Sequence, residues 1–268
     1  MNDRVTVSIQ DGVADVRLNR PDKMNALDQA MFDALIETGV SLKTRHGVRA
    51  VVLSGEGRAF CAGLDMGRFQ QMATPGAESA HELRLGPRTH GDCNVPQYAA
   101  MVWRDLPMPV IAALQGVAFG GGLQIALGAD IRLASGDCKL SLMEIRWGIV
   151  PDMGGTVLLR ELMPADRIRE LAYTGKIVSG QEAAELGLVT RVSEQPLDNA
   201  MALAREIARQ SPDAVRAAKR LIRQAGEGPA AEQLLRESRE QIALLGGANQ
   251  AEAVRARLEK REPRFIDP

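Results

Sequence analysis

Apolar and polar residues alternate along two short segments near the start of the chain. Val5–Gln10 and Val13–Leu18 both show the two-residue period of a β-strand, and Asp11-Gly12 separates them. Both positions of a tight hairpin turn take positive φ, which Asp and Gly tolerate better than most residues. The pattern therefore predicts an antiparallel hairpin.

Helical spacing follows the hairpin. Apolar residues recur at three- and four-residue intervals over residues 27–42, and Asn25 or Asp28 can cap the start. A short β-rich run at residues 50–53 comes next and stops at a Ser-Gly-Glu-Gly segment. The first 55 residues thus predict the order strand, strand, helix, strand.

The rest of the chain predicts an α/β fold class. Strand patterns at residues 109–114, 131–134 and 139–141 alternate with a helical run after a glycine triplet, as expected for crossover units. After residue 152 the pattern is mainly helical, with long amphipathic stretches from residue 202 onward. We therefore predict an α/β core at residues 1–195 and a helical region at residues 196–268.

Residues 66–105 interrupt this pattern. They mix Gln, Met, His, Arg, Gly and Pro, with weak helical periodicity at residues 69–72 and 98–103. A compact domain rarely contains so long an irregular segment unless it forms a lid or a binding loop. We expect part of a ligand site here.

Composition and charge narrow the function classes. The chain is 45% hydrophobic and 25% charged, as in soluble globular proteins. Its 33 basic and 34 acidic residues give a net charge of -1, which argues against nucleic-acid binding. No apolar run is long enough for a membrane span, and the N-terminal residues lack the apolar core of a signal peptide.

Three cysteines, Cys61, Cys93 and Cys138, are widely and irregularly spaced. Their spacing matches neither a zinc site nor a disulfide framework, so we expect no metal and reduced thiols. Reduced thiols are typical of a cytoplasmic protein, which is the location we predict.

Two glycine-containing turns are candidate anion sites. Residues 60–65 (FCAGLD) and residues 116–122 (GVAFGGG) each follow a predicted strand, and the second opens a helix. A helix start presents unpaired NH groups and the positive end of the helix dipole. Glycines that serve only tight turns are the alternative interpretation. Neither segment matches a nucleotide-binding glycine motif.

Two carboxyl groups follow the last predicted strand of the core. Glu144 and Asp152 lie among apolar residues, where desolvation would raise a carboxyl pKa into the range useful for proton transfer. The alternatives are structural: Glu144 pairs with Arg146, and Asp152 caps a helix that starts near Gly155.

Four segments together resemble the enoyl-CoA hydratase/isomerase (crotonase) family. They are residues 20–27 (RPDKMNAL), 59–65 (AFCAGLD), 109–122 (PVIAALQGVAFGGG) and 148–156 (GIVPDMGGT). They occur in the order and at the spacing of that family, and residues 174–176 and 183–189 fit as well. The resemblance covers nearly the whole chain and is weakest at residues 66–105.

This resemblance implies a spiral of ββα units with a helical C-terminal region that supports trimers, often paired as hexamers. It implies an acyl-CoA thioester substrate from fatty acid metabolism, with coenzyme A part of the substrate and no separate cofactor. It also implies an oxyanion hole formed by the backbone NH groups of Leu64 and Gly121. Fixed NH dipoles stabilise the charge that develops on a thioester oxygen when an enolate forms.

The resemblance also implies a set of residues that bind CoA or substrate: Met24, Ala26, Ala62, Asp65, Gly120 and Trp147. Three cations are candidate partners for phosphates, although each is equally well interpreted as a solvated surface charge: Lys23, Arg58 and Arg68. Two histidines in the divergent segment, His81 and His90, are candidates for the acyl pocket, with solvent exposure as the alternative.

The chain departs from the hydratase pattern at one position. Hydratases of the family use two glutamates to activate water; the second corresponds to Glu144, but the first corresponds to Gln124. Glutamine has no titratable proton. Dienoyl-CoA isomerases of the family carry an Asp at the position of Asp152, although they also carry an acidic residue at the position of Gln124.

We therefore predict that the chain shifts a double bond in an enoyl- or dienoyl-CoA. Glu144 would act as acid and base, either alone or together with Asp152, and Gln124 belongs to the same catalytic set. The alternatives are an enoyl-CoA hydratase with Gln124 in place of one glutamate, and a catalytically weak protein that only binds CoA esters. Other branches of the family perform dehalogenation, thioester hydrolysis, ring formation or decarboxylation.

Overall fold

A six-stranded sheet forms the centre of the protein in a computed structural model that describes residues 4–72 and 85–268. The strands in these ranges are β1 (Val5–Gln10), β2 (Val13–Leu18), β3 (Ala50–Gly55), β4 (Val110–Leu114), β5 (Val117–Phe119), β6 (Ile131–Ala134), β7 (Lys139–Ser141), β8 (Val178–Ser179) and β9 (Arg191–Val192). The large sheet has the order β1-β2-β3-β4-β6-β9, and a small sheet has the order β5-β7-β8. The small sheet leads directly into the candidate site.

Helices surround the sheets. Those in the described ranges are α1 (Gln29–Lys43), α2 (Met66–Met72), α3 (Val95–Arg104), α4 (Gly121–Leu127), α5 (Gly155–Leu159), α6 (Ala165–Thr174), α7 (Gly180–Glu185), α8 (Pro196–Ala208), α9 (Pro212–Gln224), α10 (Ala230–Leu244) and α11 (Ala248–Leu258). Short 3-10 helices lie at Pro21–Lys23 and Glu144–Trp147. This mixed α/β architecture confirms the predicted fold class.

The local predictions for the N-terminal part are confirmed. β1 and β2 pair antiparallel, with Gln10 opposite Val13, and the turn residues Asp11 and Gly12 have φ of 51° and 80°. The cap of α1 is Asp28, whose Oδ1 accepts a hydrogen bond from the Met31 N–H at 2.8 Å. The other pairs of the large sheet are parallel.

Two apolar layers enclose the large sheet. One layer packs α1, α3 and α4 against it and contains the fully buried Trp103 and Phe60. On the other face, Ala200, Ala204 and Ala208 of α8 pack against strand residues such as Val52. The small residues let α8 approach the sheet closely. The predicted division into a core and a helical region after residue 195 stays a prediction. α8, the first helix of that second region, packs directly on the core sheet.

The last helices contact the body less. No residue of α10 is buried within this chain, and Leu234, Leu235 and Ile242 are exposed. The end of the chain returns to the sheet, where the Arg49 guanidinium contacts Asp267 at 2.6 Å. No helix in the described ranges is long and apolar enough to cross a membrane.

Three short strands are absent from the sequence prediction. β5, β8 and β9 contain only two or three residues each. β5 falls inside the second glycine turn, which the sequence predicts as a loop, and it pairs with β7. Segments this short carry little periodicity, so distant pairing rather than local pattern defines them.

Candidate active site

A cavity of about 320 Å³ lies between α2, the start of α4 and the 3-10 helix at Glu144–Trp147. Both glycine turns and both candidate carboxyl groups contribute to its wall. The lining includes the apolar residues Leu27, Phe32, Met66, Phe69, Met72, Met143, Ile149 and Met153. The arrangement suits an apolar group beside a few polar atoms.

The first glycine turn holds the Leu64 NH group away from the segment with which it pairs. The Leu27 N–H donates to the Gly63 carbonyl at 2.8 Å, and the Asp65 N–H donates to the Leu27 carbonyl at 3.1 Å. In such a parallel bridge the N–H of the intervening residue points away from the paired segment. Within the described residues the Leu64 N–H has no hydrogen-bond acceptor.

The second glycine turn ends at a helix start. Gly120 has a φ of +50° and precedes α4, and its N–H donates to the Ser141 carbonyl at 2.9 Å. The Gln124 N–H donates to the Gly120 carbonyl at 3.0 Å, as expected for the first helical bond. The Gly121 N–H is therefore one of the unpaired donors of the helix start, and it finds no acceptor in the described part of the chain.

The two turns are packed directly against each other. Gly63 has a φ of +87°, and a Cβ atom added there would lie 2.6 Å from the Phe119 carbonyl oxygen and 3.8 Å from the Gly121 nitrogen. Only glycine combines that φ with so close an approach. The packing brings the Leu64 and Gly121 segments together at one wall of the cavity.

A buried amide holds one of the carboxyl groups. Gln124 is fully buried, and its Nε2 donates to Glu144 Oε1 at 2.6 Å. Its Oε1 accepts from the N–H groups of Met153 and Gly155 at 2.9 and 3.0 Å. The second carboxyl oxygen, Glu144 Oε2, is buried and has no hydrogen-bond partner among the described residues.

The surroundings raise the pKa of both carboxyl groups. Burial raises the pKa of Glu144, its hydrogen bond from Gln124 opposes this, and repulsion from Asp152 adds to the rise. Burial also raises the pKa of Asp152. Asp152 is exposed to solvent at the wall of the cavity, and this exposure limits the rise of its pKa. Glu144, which is buried, therefore favours the protonated form more strongly than Asp152 does.

The structural alternatives for these carboxyl groups are not seen. Within the described residues Glu144 forms no ion pair with Arg146. The residue that precedes α5 at its cap is Gly154, and no side chain caps that helix. Glu144 and Asp152 are therefore brought to one cavity, together with Gln124.

The turn at residues 24–26 is fixed by buried polar contacts. The Asn25 side chain donates to the carbonyls of Glu56 and Ala59 at 3.0 and 2.9 Å. Met24 and Ala26 flank Asn25, and the Met24 carbonyl accepts from the Ala62 N–H at 2.9 Å. Of the three predicted CoA-binding residues in this region, Met24, Ala26 and Ala62, the cavity lining includes Ala62.

Asp65 is engaged in structural contacts. Its Oδ2 pairs with Arg20 at 2.7 Å, and its Oδ1 accepts from the Gly67 N–H at 2.9 Å at the start of α2. The hydrogen bond from Gly67, followed by that from Arg20, lowers the pKa of Asp65. Asp65 thus fastens the beginning of α2, whereas its predicted role toward CoA stays a prediction.

The candidate phosphate partners and histidines occupy different places. Arg68 lines the cavity, whereas Lys23 and Arg58 are exposed on the surface. His90 stacks on Tyr98 with ring centroids 4.5 Å apart, and it is absent from the cavity lining that the described residues form. His81 lies outside the described residues. No group of His, Cys, Asp or Glu in the described ranges has the arrangement of a metal site.

An aromatic pair in the wall is absent from the sequence prediction. The sequence predicts Trp147 in the site but not its partner Phe69. The ring centroids of the two residues are 4.4 Å apart, with an interplanar angle of 20°. The weak helical periodicity at residues 69–72 is the signal that marks Phe69. The pair joins α2 to the 3-10 helix that carries Glu144.

Comparisons with known proteins point to one family. The family model for enoyl-CoA hydratase/isomerase matches residues 8–268. The chain is 32% identical to mouse mitochondrial methylglutaconyl-CoA hydratase, over 95% of this chain and 79% of that protein. It is also 32% identical to the peroxisomal Delta(3,5)-Delta(2,4)-dienoyl-CoA isomerase of Arabidopsis thaliana, over 92% of this chain and 90% of that protein.

A solved structure gives the same result for the fold. The crystal structure of an enoyl-CoA hydratase from Bacillus anthracis is 30% identical, covers 98% of both chains and has a TM-score of 0.86. The relatives include both hydratases and an isomerase, so similarity alone does not distinguish the two reactions.

Proposed function

The chain belongs to the enoyl-CoA hydratase/isomerase family, and within it we propose that this protein shifts a double bond in an enoyl- or dienoyl-CoA. One observation carries the proposal. Gln124 holds one oxygen of Glu144, and among residues 4–72 and 85–268 neither the other oxygen nor the backbone NH groups of Leu64 and Gly121 at the cavity wall have a partner. That combination is suited to removing a proton beside a thioester carbonyl.

The first step forms an enolate. Glu144 Oε2 takes a proton from C2 of the acyl chain, and the electrons of that C–H bond move toward the thioester oxygen. The NH groups of Leu64 and Gly121 donate to that oxygen and stabilise its negative charge. Because both donors belong to the backbone, no side chain has to move during the reaction.

The second step returns the proton at a more distant carbon. For a 3-enoyl chain, protonated Glu144 gives its proton to C4, and the double bond then lies between C2 and C3. For a 3,5-dienoyl chain, the charge reaches C6, which is further from Glu144. Asp152, in the same cavity and with a raised pKa, would donate there.

Hydration is the second candidate, supported by the relatives that are named hydratases. Adding water requires an acceptor that orients the water for attack on C3. The Gln124 oxygen already accepts two backbone hydrogen bonds, which fills its two lone pairs. Of the two side chains at the hydratase positions, Gln124 and Glu144, this leaves Glu144 to activate water through Oε2, so we rank hydration below isomerisation.

The test is product analysis with three classes of substrate: 2-enoyl-, 3-enoyl- and 3,5-dienoyl-CoA. We expect the double bond to move in the second and third, with little 3-hydroxyacyl product from the first. Glu144→Gln should reduce turnover by about 10²–10⁴-fold, the usual range for a general acid–base group. Asp152→Asn should affect the dienoyl substrate far more than the monoene.

Three results would contradict the proposal. Turnover that is unchanged in Glu144→Gln would remove the role of that residue. Dominant hydration would favour the hydratase, and tight acyl-CoA binding without turnover of any thioester would favour a CoA-ester binding protein. Arg146→Gln is a matched control, since Arg146 lies on the same 3-10 helix and is exposed.

We also propose a homotrimer, or a hexamer formed by two trimers. The exposed apolar residues of α10 support this, because such surfaces are commonly buried by association. Sedimentation analysis tests it, with a monomer as the contradicting result. A cytoplasmic location stays a prediction, since relatives carry mitochondrial and peroxisomal names.

A further inference from the structure

We propose that Gln124 is a positioning residue, which orients Glu144 for proton transfer through Oε2 and fixes the loop that presents Asp152. The inference deepens the proposed function and rests on it for the reaction. The contacts themselves are those of one buried amide on α4 with two other chain segments: the 3-10 helix of Glu144, and residues 153–155 at the start of α5.

The first contact selects one oxygen of Glu144. The Gln124 Nε2 donates to Oε1 at 2.6 Å, whereas Oε2 has no partner in the described structure. A carboxylate oxygen that accepts a strong hydrogen bond is less available to a substrate proton than a free one. Proton transfer is thereby directed to Oε2.

The second contact acts on the other carboxyl group. Gln124 Oε1 accepts from the N–H groups of Met153 and Gly155, which lie one and three residues after Asp152 in the chain. Gly155 packs closely on this amide, since a Cβ atom there would lie 2.7 Å from Gln124 Oε1. The backbone beside Asp152 is therefore tied to the same helix that begins with Gly121.

Only an amide satisfies all three partners at this position. It donates to a carboxylate and accepts from N–H groups at the same time, whereas an ionised Glu only accepts and would repel Glu144. A Met of similar length does neither. The position therefore links the unpaired NH group at the start of α4 to both acid–base groups.

The charged side chains near Glu144 in the described structure lie on three elements besides its own 3-10 helix. Asp152, on the loop before α5, acts on it electrostatically, and Arg68 of α2 lines the same cavity. Arg146 of its own 3-10 helix is exposed. The charged side chains of the adjacent α6 are also exposed: Asp166, Arg167, Arg169 and Glu170. Substitutions of Gln124 should therefore produce a measurable shift in the titration of the Glu144 carboxyl group.

The experiment compares Gln124→Met, Gln124→Glu and the control Ile125→Val, which alters a fully buried apolar neighbour on the same helix. For each, kcat and KM are measured against pH with a 3-enoyl-CoA. The Glu144 carboxyl is titrated by ¹³C NMR and assigned by its loss in Glu144→Gln. The NMR titration reports on positioning without requiring turnover.

Gln124→Met should lower kcat at least about tenfold with KM nearly unchanged, as for an interaction that acts on the chemical step. Its Glu144 titration and the rise of kcat with pH should both move to higher pH, because the donor to the carboxylate is lost. Gln124→Glu should be active only at pH values where the new carboxyl group and Glu144 together hold one proton. Its kcat should therefore show a bell-shaped dependence on pH. Ile125→Val should keep the wild-type profile.

A purely structural role gives a different result. Gln124→Met would then lose thermal stability but keep the wild-type kcat, pH profile and Glu144 titration, which would overturn the inference. If Gln124→Met does not fold, Gln124→Glu decides the question by its pH profile. If the wild-type protein isomerises no thioester, the proposed function fails, whereas the NMR titration still decides whether Gln124 orients Glu144.

Discussion

The two walls of the cavity are built from different parts of the chain. One wall consists of backbone: the Gly63-Leu64 turn and the start of α4 at Gly121, held together by a contact that permits no side chain at Gly63. The other wall consists of side chains, where Glu144 and Asp152 depend on the buried amide of Gln124. In the proposed mechanism the first wall provides fixed donors, and the second provides groups that gain and lose protons.

In the proposed mechanism this difference separates the formation of the enolate from the fate of its proton. Backbone donors depend on the path of the chain, so they persist while side chains change around them. Proton transfer depends on which side chains face the acyl group, so a single replacement alters the reaction. Gln124, in place of a glutamate, is such a replacement in the second wall.

The largest effect should follow from disturbing the backbone wall at Gly63. Gly63→Ala places a Cβ atom against the Phe119 carbonyl oxygen and shifts the adjacent Leu64 N–H, so kcat/KM should fall by about 10²–10³-fold, as for a lost oxyanion donor. Steady-state kinetics measures this effect. Gly47→Ala is the control, because Gly47 has a similar φ of +80° but no atom within 4 Å of its added Cβ. Equal activity in the two variants would contradict the role of this wall.

A smaller effect should appear in the pH dependence of the free energy of unfolding, through the carboxyl groups of the side-chain wall. The raised pKa of Glu144 means that the folded protein binds this proton more tightly than the unfolded chain, whose pKa is near 4.3. Stability is therefore lost as the pH rises from that value through the folded-state pKa. Glu144→Gln removes this loss, so its free energy of unfolding should rise relative to wild type between pH 5 and pH 8.

Urea unfolding at the two pH values measures this difference. Asp152→Asn should change it in the same direction, because the pKa of Asp152 is also raised. A Glu144→Gln variant that gains no relative stability toward pH 8 would show that Glu144 ionises as freely in the folded protein as in the unfolded chain.

The smallest effect should follow from changing the side chain at Leu64. Leu64→Met keeps the backbone N–H and nearly the same volume, so kcat should stay within about threefold of wild type, and stability should fall by less than about 1.5 kcal/mol. Kinetics and thermal unfolding measure both quantities. A loss as large as that of Gly63→Ala would mean that the Leu64 side chain, rather than its N–H, serves the reaction.

The sequence predicts the backbone wall better than the side-chain wall. The hairpin, the Asp28 cap and the two glycine turns follow from local signals, namely residue periodicity and the conformations that Gly and Asp tolerate. The contacts of Gln124 join residues 20 to 31 positions apart, and no local pattern encodes such a meeting. The same reason explains why β5, β8, β9 and the Phe69–Trp147 pair were not predicted.

The most direct test of enolate formation is deuterium exchange in D₂O. A 3-enoyl-CoA is incubated with the enzyme, and mass spectrometry with NMR locates deuterium in the recovered substrate and product. We predict a product isomeric with the substrate. Deuterium should enter C2 and C4 to the extent that the proton held by Glu144 exchanges with solvent before it returns to carbon, and neither product nor exchange should appear in Glu144→Gln. A product that contains added water without exchange at C2 of the substrate, or exchange that persists in Glu144→Gln, would contradict the account.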